Sequence, residues 1–503
     1  MSEDYLREKT ESLKSSTFFK KKEKPICVDN KEYLNSVFSS LDANNDKKLS
    51  KTELQGYEFD EEDIGFDAFC KLLKKGNVKQ LKEKFEIMPE IEFKQDEKTG
   101  KIILTTIDGK SFVHDEMDRI WAHSSKIKGI DFTKDPVILE KMKFTDSTFE
   151  DCKFPQGFDL NIIIENGKNP GLNIKKMQKM STGKNIHAII IDNPLTNHND
   201  FKDKNITTKN TLLSTFTKAA HQHGTSVTGI LTQIAPDVNV QHFGMTGSNN
   251  LMKTEEPFVF QEVLKSLETT PQNKKPKIIS TSAYIQNPEK TNPIIEKIQK
   301  EHGCWVLSVG EFDKNFGYLD KINPAGNPDD FENYRFGYQY SEDIVYINSG
   351  DRTLPSAADK TGYRHDSKGC ASWAVPTIAG LYVAAAEVKP DITPEEFIQV
   401  AKSDECTRKI IITDEKELER IGYDILSKEK LTEIYNESAR KLYPDKSIDE
   451  ILNNRIMRDA CIADGQKHFK EKYANKALEV GKSKERFLRI LDAEKLIQKI
   501  KNM

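Results

Sequence analysis

The run Ile186-His187-Ala188-Ile189-Ile190-Ile191-Asp192 is mostly apolar and ends on a carboxylate. Such a run, without strict alternation, is what a strand covered by helices on both faces needs. Lys277-Ile278-Ile279-Ser280-Thr281-Ser282-Ala283 and Cys304-Trp305-Val306-Leu307-Ser308-Val309-Gly310 have the same texture. Between and after these runs, 210–221, 257–267 and 292–302 carry helical spacing. The alternation predicts an α/β fold from about residue 166: a doubly wound parallel sheet with helices on both faces. Asp192 then lies at the C-terminal end of a strand, where open sheets of this type place functional groups.

Outward from that stretch the texture changes. Residues 415–485 are Lys/Glu-rich with a helical pattern, and read as a charged helical insertion inside a domain spanning 166–503. Residues 76–165 are mixed. The apolar runs on either side of Asp108-Gly109 predict a β-hairpin within 101–113, and His114 to Ala122 reads as a short helix. Phe144, Phe149 and Phe154 recur every five residues, as in one strip of a β-helix. Residues 31–75 read as helix, loop, helix, with Tyr33, Val37, Phe38 and Leu41 on one face. Residues 1–30, with Lys20, Lys21, Lys22 and Lys24, read as a solvated tail or linker.

Composition excludes several classes. Lys plus Arg number 76 and Asp plus Glu 80, so the net charge of -4 argues against a nucleic-acid partner. No stretch approaches the ~18 consecutive apolar residues of a membrane span. The polar amino terminus lacks the apolar segment of a secretory signal, so a cytoplasmic location is expected, with non-classical export left open. Seven cysteines without framework spacing read as free thiols.

The loop Asp42-Ala43-Asn44-Asn45-Asp46-Lys47-Lys48-Leu49-Ser50-Lys51-Thr52-Glu53 resembles an EF-hand loop. Ca²⁺ prefers a cage of oxygen ligands. Asp42, Asn44 and Asp46 would supply side-chain oxygens and Lys48 a backbone carbonyl. Ser50 holds the ninth position, and Glu53 would close the cage. Lys47 stands where Gly is usual, which predicts a non-glycine residue at positive φ. Residues 31–75 thus form an EF-hand-like helical module, with Ca²⁺ in a structural or regulatory role and Phe59 to Phe69 available to pack on it.

Two further segments follow Asp192 in order. His223-Gly224-Thr225-Ser226-Val227-Thr228-Gly229 has a histidine opening a helix of small residues. Cys370-Ala371-Ser372-Trp373-Ala374-Val375-Pro376-Thr377-Ile378-Ala379-Gly380 places a serine at a helix amino terminus. Backbone N–H groups there face a developing oxyanion. The three segments together resemble the subtilase (subtilisin-like) family of serine proteases, whose signatures are a strand ending in Asp, H-G-T-x-V-x-G, and G-T-S-x-A-x-P-x-x-A-G. The second is matched almost throughout. The third keeps Ser372, Ala374, Pro376, Ala379 and Gly380 but has Cys370-Ala371 for Gly-Thr. In the first, Asn193-Pro194 replaces a small residue and Gly. This variant resembles a divergent, clostridial-type branch of the family. The likeness covers about 166–403, with Phe487 to Leu496 similar to the family's closing segment.

The resemblance implies Asp192, His223 and Ser372 as a catalytic triad, no metal in the chemical step, and protein or peptide substrates. It implies Ser280, Thr281 and Ser282 as substrate-lining residues, with Tyr284 narrowing the cleft where Gly is common. Residues 76–165 stand where the family carries a pro-segment, so self-processing is an expectation. The family's oxyanion Asn aligns with Glu311. Three accounts are open: a protonated Glu311, the amide of Asn315, or a weakened enzyme. Activity as a serine endopeptidase is the leading expectation. A catalytically impaired pseudoprotease serving as a binding or regulatory protein is the alternative. His198, His221 and His242 read as ordinary surface or core histidines, since no zinc-ligand spacing is present.

Overall fold

The computed structural model of the chain describes residues 25–27, 29–50, 53–54, 63–75, 92–105, 111–113, 120–123, 126–145, 148–156, 158, 160–169, 171–216, 221–246, 249–321, 334–336, 340–357, 361–453 and 455–503. The decisive run forms the strand His187–Asp192. It is the middle of a five-stranded, wholly parallel sheet in the order Ile206–Asn210, Asn239–Gly244, His187–Asp192, Ile278–Ser280, Trp305–Leu307. Side chains alternate across it. Ala188 and Ile190 point into one apolar cluster with Val227, Ile230 and Ile378, while Ile189 and Ile191 point into another with Val259, Phe260 and Val263. Helices His221–Ile234 and Ala371–Val388 therefore cover one face, and Asn249–Thr269 and Pro288–His302 the other. The fold is α/β, with a parallel sheet between two helical layers. Strand order reverses around His187–Asp192, which opens a crevice at its C-terminal end. The helix expected over 210–221 is displaced. Asn210 ends a strand, Leu213–Phe216 is a 3₁₀ turn, and the helix starts at His221. Ala371–Val388 alone among the described helices is long and apolar enough to cross a membrane, and its buried side chains form the core of the α/β unit.

A second sheet continues the domain, in the order Tyr334–Phe336, Phe316–Lys321, Val345–Asn348, Phe487–Leu491, Thr407–Ile411. Its last two strands are antiparallel, with Ile411 opposite Phe487. Between them stand two long antiparallel helices, Glu415–Leu442 and Arg455–Lys482, joined through Ile448–Asn453. Residues 415–485 are thus a helical hairpin raised on the tip of a β-hairpin. A Cβ at Gly422 would overlap Ala477 O, and one at Gly481 would overlap Leu418 O, so the two helices meet backbone to backbone at the neck.

The N-terminal parts dock on this domain. Helices Lys31–Leu41 and Phe66–Lys75 flank a short antiparallel ladder, Lys48–Leu49 with Ile64–Gly65. Tyr33, Val37, Phe38, Phe69 and Leu73 share one core, and Phe38 meets Phe66 and Phe69 edge-on. Phe59 lies outside the described residues. The Tyr33 hydroxyl donates to the buried Glu255 Oε1 at 2.6 Å, on helix Asn249–Thr269. Residues 1–24 lie outside the described residues, but the expected tail ends before Ile26. Its N–H donates to Asn210 O at 2.9 Å, and the neighbouring Cys27 is buried.

In the mixed segment, Ile102–Thr105 pairs with Ser111–Val113 as a hairpin whose turn, 106–110, lies outside the described residues. The expected helix His114 to Ala122 is not formed at its end, because Ile120–His123 is a strand. It pairs in parallel with Met142–Thr145, Lys126–Lys128 pairs with Thr148–Glu150, and Asp131 bridges Lys153. Every pair has the same offset, the signature of successive rungs of a coil. Phe132 stacks on Phe154 at 5.2 Å, and Phe149 meets both edge-on. The five-residue spacing of Phe149 and Phe154 thus marks one inward strip. Met142–Thr145 also pairs antiparallel with Tyr363–Asp366, which joins the segment to the α/β domain. All seven cysteines are free thiols.

Candidate active site

Asp192 terminates the central strand and is buried. Its Oδ1 accepts from the Asn193 N–H at 2.7 Å and from His223 Nδ1 at 2.7 Å. A carboxylate only accepts, so Nδ1 carries the proton of this bond and Nε2 is the ring nitrogen that Asp192 does not engage. His223 lies in the first turn of His221–Ile234. Thr225 in the same turn ties that helix to the loop after Asp192. Its hydroxyl meets Thr196 Oγ1 at 2.8 Å and accepts from the Thr196 N–H at 3.1 Å. Gly224 has no side chain because the Asn193 carbonyl occupies that space.

Ser372 is the second residue of helix Ala371–Val388. Its hydroxyl donates to Ser282 O at 3.3 Å rather than to His223. Among the described residues no acceptor takes the Ser372 N–H, one of the orphan donors of a helix start. The next side chain, Trp373, packs on His223 with ring centroids 5.3 Å apart and planes tilted by 31°. This contact brings the serine segment beside the Asp192–His223 pair. Sequence reading passed over Trp373, although a large aromatic inside a run of small residues is a visible signal.

Ser280, Thr281 and Ser282 are all buried at the C-terminal end of their strand. The Thr281 N–H donates to Leu307 O at 3.0 Å, Ser282 O receives Ser372, and Ser282 Oγ is buried without a hydrogen-bond partner. Tyr284 is half-exposed and its hydroxyl donates to Asp313 Oδ2 at 2.6 Å, which spans from this strand to the next segment.

The two oxyanion candidates each accept from a lysine through a side-chain oxygen. Glu311 Oε2 accepts from Lys314 Nζ at 2.7 Å. Asn315 Oδ1 accepts from Lys402 Nζ at 3.0 Å, at the end of helix Pro394–Ala401. Neither contact directs a donor to Ser372. His198 and His242 are satisfied core histidines: His198 Nε2 bonds Gly362 O at 2.9 Å and His242 Nε2 bonds Asn193 O at 2.7 Å.

In the EF-hand-like loop, Lys47 takes φ 66°, the conformation expected for the position where Gly is usual. Asp42 accepts from the N–H groups of Asp46 and Lys47, and Asn44 Oδ1 from Asp46 N. Glu53 accepts from the N–H groups of Ala43, Asn44 and Ser50, and these bonds hold its carboxyl below the usual range, Ser50's contribution being largest. The oxygens face the loop's own backbone. Among the described residues, no three His, Cys, Asp or Glu side chains are grouped as a metal centre. The donor chemistry, all oxygen and partly anionic, suits a hard divalent cation.

No family model matches the chain, and no curated protein matches it. Solved structures do resemble it in part. One is a protease from Pseudoalteromonas arctica, at 18% identity, TM-score 0.33, over 49% of this chain and 91% of that one. Another is the A-subunit of the AB5 toxin from E. coli, at 12% identity, TM-score 0.36, over 48% and 91%. A third is MycP1 from Mycobacterium smegmatis, at 13% identity, TM-score 0.29, over 46% and 76%. At these values the fold assignment rests on the chain's own strand order and site geometry.

Proposed function

We propose that the chain is a serine endopeptidase with Ser372 as nucleophile, His223 as general base and acid, and Asp192 as the group that orients His223. The observation that carries this reading is the 2.7 Å bond from His223 Nδ1 to Asp192, on motifs that also bring Ser372 alongside through Trp373. Ser372 Oγ would bond to the scissile carbonyl carbon as its proton passes to His223 Nε2. The N–H of Ser372 would donate to the carbonyl oxygen as it gains charge. Collapse of the tetrahedral species breaks the C–N bond, and the leaving amine takes the proton from Nε2. A water molecule then repeats the sequence on the acyl-enzyme and releases the acid. In the unliganded geometry Ser372 Oγ rests on Ser282 O, and a rotation about χ1 frees it. Catalytic hydrogen bonds commonly tighten only once substrate is bound.

Glu311 favours a second reading, a pseudoprotease whose cleft binds without cutting. It stands where the family's oxyanion Asn aligns and offers an acceptor in place of a donor, and loss of such a donor costs ~10²–10³ in turnover. Fluorophosphonate labelling of the full chain beside Ser372→Ala separates the two. Labelling confined to the unmutated protein supports the peptidase. No labelling of either folded protein refutes it. Intact mass in the same samples tests self-processing.

We further propose that Asp42, Asn44, Asp46, Ser50, Glu53 and the Lys48 carbonyl hold Ca²⁺ in a structural or regulatory role. The metal would supply charge neutralisation of the loop and no step of the peptide chemistry.

A further inference from the structure

The strand Tyr363–Asp366 ends six residues before Ser372 and carries two buried charges. Asp366 Oδ2 accepts from Arg364 Nη2 at 2.9 Å and from Trp373 Nε1 at 3.0 Å. The Arg364 guanidinium also lies 5.2 Å from the Trp373 ring centre. Trp373 is itself buried, and its ring packs on the His223 imidazole. A buried ion pair is weak evidence of stabilisation, because desolvating both charges offsets their attraction. Its position, one indole away from the His223 imidazole, suggests a positional role.

An imidazole bonded only through Nδ1 to Asp192 still swings about that bond. A ring packed on its face limits the swing. The indole holds that place only if it is itself fixed, and Nε1 bonded to a buried carboxylate fixes it. We infer that Trp373 and Asp366 are positioning residues for His223: Asp366 anchors the indole, and the indole holds the imidazole on Asp192 with Nε2 toward Ser372. This extends the serine-peptidase reading and rests on it for its effect on rate.

The test compares Trp373→Phe, Trp373→Leu and the unmutated full chain. Phe keeps a ring and loses only the Nε1 bond, whereas Leu removes the face. Two quantities are read: the rate of fluorophosphonate labelling at Ser372, and the proton resonance of His223 Nδ1–H, which the bond to Asp192 shields from exchange. Trp373→Leu is expected to label ~30- to 100-fold more slowly, since misplacements of about 1 Å cost on that order. It is also expected to lose the Nδ1–H resonance, while Trp373→Phe, which keeps the face but loses the Asp366 anchor, keeps the resonance and labels about 3- to 10-fold more slowly. An unmoved rate in Trp373→Phe would overturn the role of Asp366. Trp373→Met, whose longer and more flexible chain adapts to the space, replaces Trp373→Leu should that variant not fold. Retention of the resonance in the folded Leu or Met variant overturns the inference, whatever the rate. If the unmutated chain shows the resonance but never labels, the serine-peptidase reading falls, and loss of the resonance in Trp373→Leu still supports positioning of His223.

Discussion

Gly224→Ala is the smallest change that should separate His223 from its partners. A Cβ at Gly224 would overlap Asn193 O, stand 2.8 Å from the Asn193 carbonyl carbon and 3.2 Å from Pro194 O. Each of those atoms is backbone, so no side chain can rotate away. Restoring ordinary contact moves the first turn of helix His221–Ile234 off the loop after Asp192 by about 1 Å, and His223 Nδ1 is only 2.7 Å from Asp192 Oδ1. A shift of that size breaks the hydrogen bond geometry and costs about 100-fold in rate. Overpacking of this kind costs about 1–3 kcal/mol of stability, so the variant should still fold. Gly65→Ala is the control, because a Cβ there meets nothing within 4 Å. Fluorophosphonate labelling rates and thermal midpoints of the three proteins are the assay. The expected result is slow labelling in folded Gly224→Ala and none of this in Gly65→Ala. Labelling of Gly224→Ala within about threefold of the unmutated rate would refute the claim that this contact sets the His223–Asp192 geometry.

Two other outcomes follow from the structure. His365 is buried beside Thr353, and burial pushes its imidazole down to about 4 from an ordinary 6.5. The unfolded chain takes up this proton near pH 6.5 and the folded chain only near 4, so stability falls as pH drops through that window, by about 3 kcal/mol. Urea denaturation at several pH values should show a flatter profile in His365→Gln, and an unchanged slope would count against a neutral buried imidazole. For the loop at 42–53, added Ca²⁺ should raise the thermal midpoint of the unmutated chain and leave that of Glu53→Gln unmoved. A midpoint in the unmutated chain that is indifferent to millimolar Ca²⁺ would dismiss the site.

The central sheet was legible because its strands are buried on both faces, and Ile189 and Ile190 both had to be apolar although they point opposite ways. The helical texture of the Lys/Glu-rich stretch was legible, and the helices Glu415–Leu442 and Arg455–Lys482 fall on it. Asp192 and His223 were readable in their motifs, and the structure joins them. What escaped reading depends on distant partners. Ile120–His123 is a strand only because Met142–Thr145 lies beside it, and no local pattern announces a parallel neighbour. The apolar residues taken as a helix near 212 are instead buried in the core shared with Lys31–Leu41. The bond from Lys402 to Asn315 also escaped reading, since no local pattern pairs the two; it takes up the carbonyl oxygen of Asn315 and not its N–H₂ donor. Arg364 and Asp366 carry no motif, and their bearing on His223 exists only through the indole between them.

The pairing of Met142–Thr145 with Tyr363–Asp366 also sets a timetable for synthesis. Lys143 sits opposite Asp366 and Phe144 opposite His365, so roughly 220 residues must be made after one strand before the other exists. At ~5–20 residues per second that interval is about 10–40 seconds. Throughout it, the strand Met142–Thr145 presents an uncovered edge, a template for pairing with another chain. Brevity limits the hazard, since this edge is four residues long. The strand that anchors Trp373 is the last of its own sheet to be made, so the serine site is assembled only after the early half of the chain has waited for it.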